Sequence, residues 1–170
     1  MTTPLRLALD QNFPTPLIEA MRPWVPTDID LTSVRKIDPA LSDLSDRNLF
    51  IVLKQLGFDG LVTNNYKMLN VPEEVAAIVS TKATVIAVVG LGHDPIRAVG
   101  ALLLELPGLR DRIRPGKSNV FRLAYGPRPP KDAWEYLSEA ASRLGVPTED
   151  LWQGTRVTRQ EMEAAVLGRP

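Results

Sequence analysis

The chain has 170 residues, 44% of them hydrophobic and 24% charged, which suits one compact domain and excludes wholesale disorder. The absence of cysteine removes disulfides, thiolate metal sites and cysteine nucleophiles, and the single histidine, His93, leaves no multi-histidine zinc site. No apolar run approaches the roughly 20 residues of a membrane span, and the amino terminus lacks the basic and apolar blocks of a secretion signal, so a soluble, cytoplasmic protein is expected.

Leu5-Arg6-Leu7-Ala8-Leu9 reads as a buried strand ending at Asp10. Pro14 and Pro16 start a helix carrying Leu17, Ile18 and Met21, which Pro23 and Pro26 stop. Ile29 to Val34 is a second strand, and Pro39 to Ser45 a turn or short helix. Ser45 caps a helix with Leu49, Phe50, Val52, Leu53 and Leu56 on one face, ending at Gly57. Gly60 to Thr63 is a short buried strand, followed by Asn64 and Asn65.

Pro72-Glu73-Glu74 opens the next helix, with acids suited to its first turn. Thr84 to Val89 is the clearest strand, and Asp94-Pro95 caps a helix presenting Ile96, Val99, Leu102, Leu103 and Leu106. Val120 to Ala124 is the last strand, and Lys131 to Leu144 a helix with Trp134, Leu137, Ala141 and Leu144 at core spacing. After Gly145-Val146-Pro147 the spacing predicts a polar link and then a short capped helix from Thr158. Strands alternating with helices argue for an α/β fold with a mostly parallel sheet covered on both faces. The chain divides into a main domain over 1–145 and a C-terminal extension over 146–170, suited to dimer or partner contacts.

Charge is uneven although the total cancels. Residues 109–131 hold seven cations (Arg110, Arg112, Arg114, Lys117, Arg122, Arg128, Lys131) against Asp111 alone. Such a band serves either as a solvated loop or as a surface for a polyanion.

Ligands of a parallel sheet bind beyond the carboxyl ends of its strands. Asp10, Asp46 and Thr63-Asn64-Asn65 all fall at or near that edge, with Asp43 competing for the role of Asp46. Each has a plain structural explanation: Asp46 complements a helix dipole, Asp10 accepts loop amides, and the asparagines make a turn. Taken together they form an oxygen-rich set of the kind Mg²⁺ prefers, with the basic band available for a nucleic-acid backbone. Gly90-Leu91-Gly92-His93-Asp94-Pro95 fails as a dinucleotide fingerprint because Pro95 stands where the third glycine belongs, and no serine-nucleophile elbow is present.

Leu7-Ala8-Leu9-Asp10-Gln11-Asn12-Phe13, then Leu44-Ser45-Asp46 with its helix, then Leu61-Val62-Thr63-Asn64-Asn65 resemble the PIN domain. The likeness covers roughly residues 5–125 and is greatest to the short, VapC-related PIN-like branch of bacterial toxin–antitoxin systems. It implies a PIN-like three-layer α/β/α sandwich and a metal-dependent endoribonuclease cutting cellular RNA, with Mg²⁺ or Mn²⁺ as cofactor. It also implies a cognate antitoxin as partner and favours that complex or a homodimer. On this reading Asp10 and Asp46 are metal ligands, Asn64 or Asn65 is a weak or outer ligand, and Asp43 is a reserve acid. Arg110, Arg112, Arg114, Lys117 and Arg122 would contact RNA phosphates. Asn65 stands where the family has Asp, and the glutamate of longer members has no clear counterpart, which leaves a catalytically degenerate RNA- or protein-binding module as the alternative.

Overall fold

In the computed structural model, which describes residues 3–125 and 132–157, β1 (Leu5–Leu9) passes through α1 (Thr15–Ala20) to β2 (Ile29–Ser33). A short α2 (Val34–Ile37), a 3₁₀ turn over Pro39–Asp43 and α3 (Asp46–Gln55) then lead to β3 (Gly60–Thr63). After a 3₁₀ turn over Tyr66–Asn70 come α4 (Pro72–Thr81), β4 (Thr84–Val88), α5 (Pro95–Glu105), α6 (Leu109–Arg112) and β5 (Asn119–Leu123). The five strands form one all-parallel sheet in the order β2-β1-β3-β4-β5.

Alternation along the strands divides the core into two layers. Leu7, Leu9, Leu31, Val62, Ile86 and Val88 face a cluster that includes Ile18 of α1 and Val99 and Leu102 of α5. Ala8, Leu61, Val85 and Ala87 face Leu49, Phe50 and Leu53 of α3 and Ile78 of α4. Both sheet faces are therefore covered, as near-continuous apolar strands require, and the expected α/β/α sandwich is the observed one.

Local chemistry sets the element ends. The Ser45 hydroxyl accepts from the Asn48 amide at 3.4 Å, and the Asp94 carboxylate from the Arg97 amide at 3.0 Å, capping α3 and α5. Gly60 begins β3 because a Cβ there would lie 1.7 Å from the Thr84 carbonyl oxygen. The helix α6 forms inside the basic band, to which the sequence reading assigns no helix, and Leu109 anchors it with no exposed surface.

The chain divides into two compact units, Met1–Gly126 and Pro127–Pro170. The second contains α7 (Ala133–Leu144) and α8 (Thr148–Thr155), with Trp134 and Trp152 packed edge-on at 5.7 Å. Helix α8 occupies the stretch expected to be a polar link, because Pro147 precedes its first turn and Glu149 and Asp150 complement its dipole. The helix expected from Thr158 lies outside the described residues. Among the described residues no helix is long and apolar enough to cross a membrane.

Candidate active site

The sheet order reverses direction between β1 and β3. The chain leaves β1 for β2 on one side and leaves β3 for β4 on the other, so the two connections diverge above the carboxyl ends of β1 and β3. Open parallel sheets bind ligands in the crevice at such a point, and the polar residues of this protein gather there.

Asp10 continues the β1 ladder by one residue, its amide donating to the Val62 carbonyl at 2.9 Å. Its carboxylate is nearly buried, 8% exposed. Oδ1 accepts from the Gln11 amide at 2.7 Å and Oδ2 from the Thr63 hydroxyl at 2.8 Å. Both contacts fix the carboxylate, and each oxygen keeps a further lone pair. Thr63 Oγ1 in turn accepts from the Asn65 amide at 2.9 Å, and Asn65 Nδ2 donates to Asp46 Oδ2 at 2.9 Å. One hydrogen-bonded path thus runs from Asp10 through Thr63 and Asn65 to Asp46, joining residues 36 positions apart in the chain.

The electrostatics are those of an acid pair short of positive charge. Burial raises the Asp46 pKa above the usual carboxylate range, the neighbouring Asp10 charge raises it further, and the Asn65 hydrogen bond opposes both. Glu74, in the first turn of α4, is also raised, first by burial, then by Asp46, then by Glu73. Glu74 therefore lies near enough to Asp46 to feel its charge. Its position in Pro72-Glu73-Glu74 suggested only a helix-dipole role, and no spacing rule links α4 to Asp46. The packing of α3 on α4 makes the connection.

Two oxygens at this edge have no partner. Asn64 Oδ1 and Glu74 Oε2 are both buried and accept no hydrogen bond among the described residues, although buried acceptors are normally satisfied. Asp10 and Asp46 are hard oxygen donors of the class a divalent cation takes while keeping much of its water. Among the described residues no group of three or more histidines and carboxylates converges closely enough to hold an ion by itself. The described carboxylates that come together here are thus the Asp10–Asp46 pair, not a closed cage.

Asp43 does not join it. It ends the exposed 3₁₀ turn before α3, and no contact among the described residues ties it to Asp10 or Asp46. Residues 109–118 of the basic band are also elsewhere, and Arg128 and Lys131 lie outside the described residues. In a parallel sheet every segment leading into a strand reaches the amino edge, and residues 109–118 lead into β5.

Arg110 Nη1 donates to the Thr3 and Asp28 carbonyls, ahead of β1 and β2, at 2.6 and 3.4 Å. Arg112 pairs with Glu105 and lies 5.4 Å over the Phe121 ring. Arg114 and Lys117 belong to the turn before Asn119, and Arg122 lies exposed on the edge strand β5, paired with Ala87. The expected phosphate contacts Arg110, Arg112, Arg114 and Lys117 therefore sit at the end of the sheet opposite Asp10. His93 is exposed in the loop before α5.

Cations that the sequence did not single out line a cleft that begins at Gln11, next in the chain to Asp10. This cleft of about 480 Å³ is lined by Gln11, Phe13, Glu19, Ser33, Arg35 and Lys36, among others. Lys36 is engaged by Glu19 at 2.7 Å, whose pKa is held at about 2 by the Arg22 hydrogen bond and then by Lys36. Exposed Arg35 has no ion-pair or hydrogen-bond partner among the described residues. No protein-family model matches this chain, and neither does any curated protein or solved structure.

Proposed function

We propose that the protein is a metal-dependent endoribonuclease of PIN-like type whose centre is the Asp10–Asp46 pair. The observation that carries this reading is the juxtaposition of two partly desolvated carboxylates, linked through Thr63 and Asn65, at the carboxyl-edge crevice of the sheet. Asp10 and Asp46 would hold Mg²⁺ or Mn²⁺, which in such a site supplies a polarised water and neutralises charge on a phosphodiester.

The residues of the chain divide the remaining work. Thr63 and the Gln11 amide fix the Asp10 carboxylate before substrate arrives. Asn65 holds Asp46 through Nδ2, and turning its amide over presents Oδ1 to the same space. Asn64 Oδ1 and Glu74 Oε2 are spare acceptors for ordered water, and Glu74, raised by its surroundings, can take up or release a proton near the notch. Arg35, beside the adjoining cleft, is the cation placed to hold a flanking RNA phosphate. A cytoplasmic location follows from the sequence expectation, and the role of toxin beside a cognate antitoxin, as that complex or as a homodimer, follows from the resemblance.

One observation favours a second reading, a binding module that has lost catalysis. Asn65 offers a donor to Asp46 where the resembling family carries a further acid. Cleavage of a broad RNA panel with Mn²⁺ separates the two. Asp10→Ala is expected to lower cleavage at least about 100-fold and to relieve any growth arrest on expression. Asn65→Asp, adding a charge to the metal site, is expected to tighten Mn²⁺ binding and raise the rate. Metal-independent behaviour of the wild type, or an Asp10→Ala variant as active as the parent, overturns the nuclease assignment.

A further inference from the structure

We infer that the amino edge of the sheet carries a second ligand site, for a compact polyphosphate group, distinct from the acidic notch. A concave pocket of about 220 Å³ opens there, bounded by Lys54 at the end of α3, Lys82 just after α4, Arg114 and Lys117 in the turn before β5, and Asp59 and Asn119. A second hollow of about 390 Å³ shares Lys82, Arg114 and Lys117. Four cations from three separate elements thus meet a single carboxylate. Asp59 is already occupied in part, its Oδ2 accepting from the Arg6 amide at 2.8 Å. The ammonium groups of Lys54, Lys82 and Lys117 have no hydrogen-bond or ion-pair partner among the described residues.

Two features show that the pocket is held in shape. Asn119 is 4% exposed, and its side chain makes four hydrogen bonds to the turn: Oδ1 accepts from the Arg114 amide and Nε, and Nδ2 donates to the Arg114 and Lys117 carbonyls. The turn that presents Arg114 and Lys117 is therefore fixed from beneath. Lys82 is the only non-glycine residue with positive φ among the described residues, at φ 56° and ψ 33°. It ends α4 in the left-handed position where glycine is ordinarily favoured. From that position its side chain lines the pocket.

The charge is concentrated in one concavity instead of being strung along a face. Three or four negative charges on adjacent phosphates match that pattern, whereas a nucleic-acid backbone spreads its charges along a track. The site lies across the five-residue strands from Asp10, about 16 Å away, so it stands apart from the nuclease reading.

Calorimetric titration of the full chain with inorganic pyrophosphate tests it, in EDTA so that the acidic notch holds no metal, at about 0.15 M salt. Saturable binding is expected, with orthophosphate at least about tenfold weaker. Lys82→Gly is expected to raise the unfolding temperature, because the backbone strain is relieved, and to weaken pyrophosphate about fivefold to tenfold. Lys117→Ala is expected to weaken pyrophosphate to a similar extent without that rise. No saturable pyrophosphate binding, or a Lys82→Gly variant that binds as tightly as the parent, overturns the proposal. So does preferential binding of a single-stranded oligonucleotide lacking terminal phosphates, since that identifies a backbone track.

Discussion

Asp46 is held in two ways that pull against each other. As the first residue of α3 it complements the helix dipole and accepts from Asn65, yet burial and the charge of Asp10 disfavour its ionised form. A carboxyl whose folded pKa exceeds its unfolded value binds its proton more tightly in the native state. Its contribution is therefore favourable at low pH and is lost as pH rises through the raised pKa. Asp46→Asn is accordingly expected to raise Tm by about 2–4 °C near pH 8 without divalent cations. The gain should vanish by about pH 3, below the ordinary aspartate pKa of about 3.9, where the parent's carboxyl carries its proton in the folded and the unfolded state alike. Thermal unfolding at the two pH values measures it. Added Mn²⁺ should then stabilise the parent and not the variant, because only the parent supplies the second carboxylate. Glu74 shifts in the same direction and adds to the same pH dependence.

At the scale of elements, β3 connects the site to the fold. Its first residue, Gly60, permits the close approach to β4 at Thr84, and its last, Thr63, fixes Asp10. Gly60→Ala would put a methyl group 1.7 Å from the Thr84 carbonyl oxygen, so the backbone must move. A loss of about 1–3 kcal/mol is expected, measured by denaturant unfolding. If the shift reaches the carboxyl end of β3, metal affinity falls as well, although position 60 touches neither carboxylate. Most of this element was legible in the sequence: Gly60 to Thr63 is a short apolar run bounded by turn residues. The Ser45 cap and the Asp94-Pro95 start of α5 were equally readable, since each depends on residues three positions apart. Helix α8 was not, because its polar sequence resembles a linker and only Pro147 and the acids after it mark a beginning.

Across the sheet, the two described clusters of charge sit at opposite ends of the strands. Asp10, Asp46 and Glu74 gather at the carboxyl edge, and Lys54, Lys82, Arg114 and Lys117 at the amino edge. On the proposed function, an RNA at the acidic notch would take a positive contact from the neighbouring cleft, where Arg35 is exposed and without an ion-pair partner among the described residues. Arg35→Ala is expected to raise KM for RNA cleavage several-fold with little change in kcat. It should also reduce the slope of log affinity against log salt by about 0.7, the loss of one phosphate contact to a single strand. Salt-dependent binding and steady-state cleavage measure the two effects. The same change at a purely structural arginine would move Tm and leave the salt slope unaltered.

The sequence by itself determined the class of the fold, the strands and main helices, and the candidacy of Asp10, Asp46 and the asparagines after β3. Those features rest on short-range rules: alternation in strands, periodicity in helices, caps, and the tendency of parallel sheets to bind at their carboxyl edge. Only the tertiary structure decided that Asp46 reaches Asp10 through Asn65 and Thr63, that Glu74 lies near enough to Asp46 to feel its charge, that Asp43 does not join them, and that Lys54 and Lys82 meet the basic turn. The physical reason is that these neighbours lie on different elements, and their meeting depends on how α3 and α4 pack on the sheet and in what order the strands pair. Neither is written in any local run of residues.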